Sequence, residues 1–165
     1  MKSLPAKGVA RALTAVALAG CSLSVCVHLI ALLGSHSKAL LKFQLGLFVG
    51  VFVLFVPAYL AQKRLLSEFS SRDRFRMFDP RFSNKVRLKI LLVNTPKWLR
   101  QTFNAISYYY LVFFVIFAYR TFPNKAGKLD EILLFSSVTA AAYCAFAAVL
   151  TSYARTERPL RPDEI

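Results

Sequence analysis

Four long apolar blocks, separated by charged segments, dominate the pattern of the chain. The first, Ala12 to Leu33, and the second, Phe43 to Ala61, contain no charged residue. The third runs from Ala105 to Tyr119 and the fourth from Ile132 to Tyr153. A run of about 18 or more residues with few charges can cross a hydrocarbon core roughly 30 Å thick. Because a segment in lipid must satisfy its own backbone hydrogen bonds, each block is predicted to be a helix.

The third block is short on its own, and its helix is predicted to begin earlier. Thr95 and Pro96 form a typical helix start, with Thr95 as the N-cap and Pro96 at the first helical position. A helix from Pro96 to about Thr121 would be about 39 Å long at 1.5 Å per residue. The whole chain of 165 residues is thus predicted to be one all-α membrane domain. Its four transmembrane helices are placed at 12–33, 43–61, 103–121 and 132–153.

The distribution of Lys and Arg predicts how these helices are oriented. The N-terminus, the loop 62–102 and the C-terminus would share one side and hold seventeen of the twenty-two basic residues. Cytoplasmic segments carry the excess of Lys and Arg in membrane proteins. Both termini and the long basic loop between helices 2 and 3 are therefore predicted to be cytoplasmic. The protein is predicted to be integral to a membrane, the cytoplasmic membrane if the source is bacterial.

The basic loop interleaves cations with phenylalanines, a pattern also found in grooves for single-stranded nucleic acid. The loop follows closely on a predicted membrane helix, however, so its cations can meet anionic lipid headgroups. Contact with the bilayer surface or a protein partner is therefore favoured, and nucleic acid is not predicted as a partner. The residues assigned to this surface are Arg72, Arg74, Arg76, Arg81, Lys85, Arg87 and Lys89.

The composition agrees with a membrane location, and the sequence lacks the residue patterns that are typical of known catalytic sites. The chain is 56% hydrophobic, and its formal net charge of +14 lies largely outside the apolar blocks. No block contains a carboxylate, and no Gly-rich phosphate loop, HExxH or GxSxG motif occurs. These observations argue against proton-coupled transport and against a carboxylate pair in the membrane. No cofactor, metal site or catalytic residue is predicted.

His28 is the main candidate for an intramembrane polar site, together with Ser24 one turn before it. An ionisable residue inside a membrane helix is a functional candidate by default. One haem could not use both histidines, because His36 lies eight residues further on, about 12 Å along a helix, and beyond Gly34. The preferred interpretation is a neutral imidazole hydrogen-bonded to Ser24 or to a neighbouring helix.

A lipoprotein signal competes with the first span. Leu18-Ala19-Gly20-Cys21 matches the pattern in which the cysteine is lipidated after cleavage, which makes Cys21 a candidate lipidation site. The apolar sequence continues from Leu23 to Leu33, which favours an uncleaved span. All three cysteines, Cys21, Cys26 and Cys144, are predicted to be buried structural thiols.

Small residues predict where the helices approach one another. Gly46 and Gly50 form a GxxxG motif in the second span. Small faces are predicted on two other helices: Ser137, Ala141 and Ala145 on the fourth, and Ala12, Ala15 and Ala19 on the first. The third span is bulky and is predicted to lie outermost, facing lipid or a partner.

The leading functional hypothesis is a non-enzymatic accessory, regulatory or immunity-type protein that acts through a membrane partner. The partner would be another membrane protein or a second copy of the chain. One alternative is an oligomeric small transporter or channel; the residues expected to line its path are His28, Ser24, Ser136, Ser137 and Thr139. A second alternative is a membrane enzyme acting on a lipid or isoprenoid phosphate, held by the basic loop.

Overall fold

In a computed structural model, the described residues form four long helices and no β-strand. The structure describes residues 7–34, 37–73, 88, 91–92, 94–121 and 128–156. The helices are α1 (Lys7–Leu32), α2 (Lys38–Asp73), α3 (Lys97–Thr121) and α4 (Lys128–Arg155). The prediction of an all-α fold is confirmed.

Three stretches of helix are long and apolar enough to cross a membrane: Lys7–Leu32, Lys38–Leu66 and Glu131–Arg155. Their length and composition indicate a membrane-embedded protein. Over its described residues, α3 is not among the stretches that are long and apolar enough to cross a membrane. The fourth span, the sidedness of the termini and the identity of the membrane stay predictions.

The long loop is shorter at both ends than the predicted range 62–102. Helix α2 continues through Pro57 to Asp73, so residues 62–73 are helical. Helix α3 already begins at Lys97. Of the seven basic residues assigned to the membrane surface, Arg72 lies in the last turn of α2. The others lie outside the described residues: Arg74, Arg76, Arg81, Lys85, Arg87 and Lys89.

Helix α4 is the central helix of the bundle. Every residue from Ile132 to Ala154 is buried or half-buried, and α1, α2 and α3 all pack on it. Its run of Ser, Ala, Thr and Cys allows three neighbours to approach closely. The predicted small face is therefore only part of the covered surface: Ser137 is buried, whereas Ala141 and Ala145 are half-buried.

Helix α1 packs antiparallel along α4 through a seam of small residues. Four fully buried residues recur at intervals of seven: Ala10, Ala17, Ser24 and Ala31. A seven-residue repeat is the spacing of a left-handed pair of packed helices. The small face predicted for α1 is wrong, since its three residues are exposed: Ala12, Ala15 and Ala19. They lie roughly opposite the seam at 100° per residue.

Glycines of α1 and α2 make room for one aromatic side chain of α4. A Cβ atom added at Gly20 would lie 2.7 Å from the ring of Tyr143, and one added at Gly50 would collide with its hydroxyl. That hydroxyl donates to the Leu47 carbonyl at 2.8 Å, which fixes the ring. Gly50 is thus a position of close approach. Gly46 is not, because no atom lies within 4 Å of its Cβ position, so the packing predicted there is wrong.

Contacts near both ends of α3 set its register on α4. The Thr95 hydroxyl donates to the Ala148 carbonyl at 3.1 Å and does not cap α3. Further along, Phe113 packs against the cluster that contains Ile132 and Leu133. Because both helices rise 1.5 Å per residue, the part of the chain beside 132–153 is about 91–113 rather than 103–121.

Candidate functional site

His28 joins three helices through its imidazole ring. Nδ1 lies 2.8 Å from Ser136 Oγ and 3.2 Å from Ser137 Oγ, both on α4. Nε2 lies 2.5 Å from the Tyr109 hydroxyl on α3. The rings of Tyr109 and Phe113 meet the imidazole edge to face, with centroids 5.4 and 5.5 Å away. The expectation that His28 bonds to a neighbouring helix is therefore confirmed.

The hydrogen-bond directions in this network follow from the serines. The hydroxyls of Ser136 and Ser137 both donate to the Leu133 carbonyl, at 3.1 and 2.8 Å. These donations fit the tautomer in which Nδ1 of His28 carries the hydrogen that it shares with the serines. In that tautomer the imidazole is neutral, and Nε2 accepts from the Tyr109 hydroxyl. Both nitrogens are then hydrogen-bonded.

Ser24, the other predicted member of the site, does not take part. Its side chain is fully buried one turn before His28, and its Oγ makes no hydrogen bond within the described part of the chain. Sequence reasoning had no means of selecting Tyr109 from the three consecutive tyrosines, Tyr108 to Tyr110. That choice depends on the register of α3, which the apolar pattern does not encode.

An apolar groove of about 340 Å³ lies above the imidazole, between α1 and α3. It exists because these two helices pack on α4 rather than on each other. The residues along its two walls are Val25, Leu29 and Leu32 from α1, and Ala105, Ile106, Tyr109 and Tyr110 from α3. Ser136, Ser137 and Ala140 of α4 form the floor together with His28. The polar side-chain atoms of the floor are hydrogen-bonded to one another, so the surface that lines the groove is mostly carbon.

Two polar contacts between helices lie apart from each other in the bundle. Gln44 of α2 donates to the Thr139 hydroxyl at 2.9 Å, and that hydroxyl donates to the Phe135 carbonyl at 2.6 Å. This contact lies between α2 and α4, whereas His28 lies between α1 and α3. The residues expected to line a transport path therefore do not share one face.

No protein-family model, curated protein or solved structure matches the chain. The site is interpreted from its own chemistry. Among the described residues, no group of three His, Cys, Asp or Glu side chains could hold a metal ion. A metal or a haem iron at His28 would have to displace either the tyrosine or the two serines from the imidazole.

The three cysteines are free thiols in different surroundings. Cys21 and Cys144 are buried in the same apolar cluster, where α1 meets α4. Cys26 is exposed, so its prediction as a buried thiol is wrong. The candidate lipidation site Cys21 lies in the middle of α1, which is continuous from Lys7 to Leu32.

Proposed function

We propose that the protein is a non-enzymatic, multi-pass membrane protein that binds a transmembrane helix of another membrane protein in the groove between α1 and α3. In this proposal the chain has four spans and two cytoplasmic termini. The observation that carries the proposal is an apolar groove whose polar groups are already paired with one another. The occupant of such a groove would contact it through apolar side chains rather than through hydrogen bonds.

The exposed surface of α3 is broad enough to receive a helix as the occupant. One stripe of this surface has residues at alternating intervals of three and four: Trp98, Gln101, Ala105, Tyr108, Val112 and Val115. This spacing is typical of a helix that packs on another helix at a shallow angle. Ala105 lies on this stripe and in the groove wall, and a small residue there allows close approach of a second backbone.

The α1 wall offers a second row on the other side of the groove. Val25, Leu29 and Leu32 follow one another at intervals of four and three residues, and they are 37%, 53% and 52% exposed. A helix lying in the groove would cover this row and the α3 stripe together. Recognition would then rest on the fit of side chains into a space of about 340 Å³.

Photo-crosslinking in native membranes tests this proposal. A photoreactive phenylalanine analogue at Leu29 or Val112 is expected to give one discrete adduct with a second membrane protein. The same analogue at Val53 of α2, which is 71% exposed and lies away from the groove, is the matched control. Similar adducts from all three positions, or lipid adducts alone, would contradict the proposal. An adduct of twice the chain mass would replace the partner with a second copy of the chain.

Filling the groove should weaken this binding. Ala105→Phe adds a ring at a residue that lines the space, and it leaves the buried side of α3 unchanged. The adduct from Leu29 is expected to fall by about tenfold, the equivalent of roughly 1.4 kcal/mol of lost packing. Asn104→Phe, on an exposed residue about 100° around α3 from Ala105 and outside the groove lining, should leave the adduct unchanged.

A further inference from the structure

A second cavity, of about 320 Å³, lies at the opposite end of the α1–α4 pair from the His28 groove. Arg11 and Thr14 line it from the start of α1, and Thr151, Ala154 and Arg155 line it from the end of α4. The antiparallel packing of the two helices brings these residues together. Two arginines and two threonines therefore border one small space.

The positive charge of this cavity has no counter-charge in the described part of the chain. Glu131 is the one acidic residue whose side chain the structure describes. It lies at the other end of α4, about 36 Å from Arg155 at 1.5 Å per residue. Arg11 and Arg155 are both exposed, so an anion can reach them from outside the bundle.

One hydroxyl of the cavity is buried without a partner. Thr151 is 9% exposed, and its Oγ1 makes no hydrogen bond within the described residues. Thr14, in contrast, already donates to the Ala10 carbonyl at 2.9 Å. Buried hydroxyls are nearly always hydrogen-bonded in proteins, so the Thr151 hydroxyl has a proton to donate to an acceptor that enters this cationic cavity.

We infer that Arg11, Arg155 and Thr151 form a binding site for a phosphate group. Guanidinium groups present paired N–H donors that match two phosphate oxygens, and the Thr151 hydroxyl supplies a further donor. The predicted spans 12–33 and 132–153 put the two threonines at the edge of the hydrocarbon layer and the two arginines at headgroup level. Basic pockets between membrane helices bind anionic headgroups in this way. The inference does not depend on the proposed partner helix.

Native mass spectrometry of the full-length protein from mixed micelles tests the site. The probes are phosphatidylglycerol and phosphatidylcholine, which both carry a phosphodiester but differ in net charge. The wild-type protein is expected to retain one phosphatidylglycerol in preference to phosphatidylcholine. The double variant Arg11→Gln/Arg155→Gln should lose this preference by about tenfold or more, since hydrogen bonds between charged groups are among the stronger ones.

A matched control variant distinguishes a specific binding site from general attraction of the lipid by positive charge. Lys38→Gln/Lys42→Gln removes the same charge at the first turns of α2, near the other end of the bundle. This control should retain the lipid as the wild type does. Thr151→Val keeps the shape of the side chain and should reduce retention, whereas Thr151→Ser should restore it. Equal losses from the two double variants, or no effect of Thr151→Val, would overturn the inference.

A competition arm distinguishes the two sources of phosphate. Displacement of the lipid by excess inorganic phosphate would assign the site to the phosphate group itself. Retention of the lipid under excess phosphate would assign it to the headgroup of the anionic lipid. Circular dichroism of each variant checks folding, and both arginines are exposed, so their replacement leaves the packed seam intact.

Discussion

Gly20→Ala is expected to destabilise the bundle strongly. Overpacking at this position should lower the free energy of unfolding by about 1–3 kcal/mol. The new methyl group would lie 2.7 to 2.9 Å from three carbons of the Tyr143 ring. The ring cannot move aside, because its hydroxyl is fixed on the Leu47 carbonyl of α2. Gly46→Ala is the matched control: it adds the same atom to α2, where nothing lies within 4 Å. Thermal unfolding in detergent, followed by circular dichroism, compares the two variants.

A double-mutant cycle on Gly50 identifies the atom responsible. A methyl group at Gly50 collides with the Tyr143 hydroxyl and lies 3.6 Å from the ring carbon that bears it. Tyr143→Phe removes that hydroxyl, so Gly50→Ala should cost much less in the Tyr143→Phe background than in the wild type. Gly20→Ala should keep more of its cost in the Tyr143→Phe background than Gly50→Ala does, because the ring carbons that it meets remain, although the ring is no longer held by the Leu47 carbonyl. An equal cost of Gly50→Ala in the two backgrounds would show that this packing arrangement is incorrect.

His28→Leu is expected to loosen α3 from the rest of the bundle. Ser136 and Ser137 keep their donations to the Leu133 carbonyl in this variant, so they are not left unpaired. The Tyr109 hydroxyl loses its acceptor, and α3 loses its polar link to α1. Hydrogen bonds between membrane helices contribute about 0.6 kcal/mol on average and up to roughly 1.7 kcal/mol. Amide hydrogen exchange should therefore rise in α3 more than in α2.

The neighbouring tyrosine supplies the control for this prediction. Tyr109→Phe removes the donor to Nε2 and should reproduce much of the effect of His28→Leu. Tyr108→Phe removes a hydroxyl from a residue that is 72% exposed and should leave exchange in α3 unchanged. The double variant His28→Leu/Tyr109→Phe should be little worse than either single one, since both break the same contact. Strict additivity, or equal effects of the two tyrosine variants, would contradict the proposed link.

Helix number and approximate position could be predicted from the sequence, whereas the packing faces could not. In a membrane helix both the packed side and the lipid side are apolar, so hydrophobic periodicity does not identify the buried face. Small residues occur on two sides of α1, and the side predicted to pack, with Ala12, Ala15 and Ala19, is the exposed one. The distinguishing signal was the length of the repeat: the interval of seven runs through four residues, from Ala10 through Ala17 and Ser24 to Ala31, whereas the alternative set has it once, from Ala12 to Ala19.

The candidate site could be predicted only in part, for a related reason. His28 was recognisable because an ionisable side chain in an apolar block is rare. The pairing of His28 with Tyr109 depends on the axial position of α3 along α4. The apolar block 105–119 suggests a different axial position. The contacts of Thr95 and Phe113 set the actual register. Arg100 of α3 has its charge hydrogen-bonded in this register, because its guanidinium donates to the Leu92 and Thr95 carbonyls.

The central position of α4 also determines the order of events when the protein is synthesised. Helix α4 is the last of the four to leave the ribosome, yet α1, α2 and α3 all pack on it. Ninety-five residues separate the end of α1 from the start of α4, which takes roughly 5–20 s at the usual rates of elongation. During that interval the small-residue seam of α1 and the imidazole of His28 have no α4 to cover them. A chain truncated before Lys128 would therefore insert its early helices without forming the bundle, and it would depend on the insertion machinery to keep them apart.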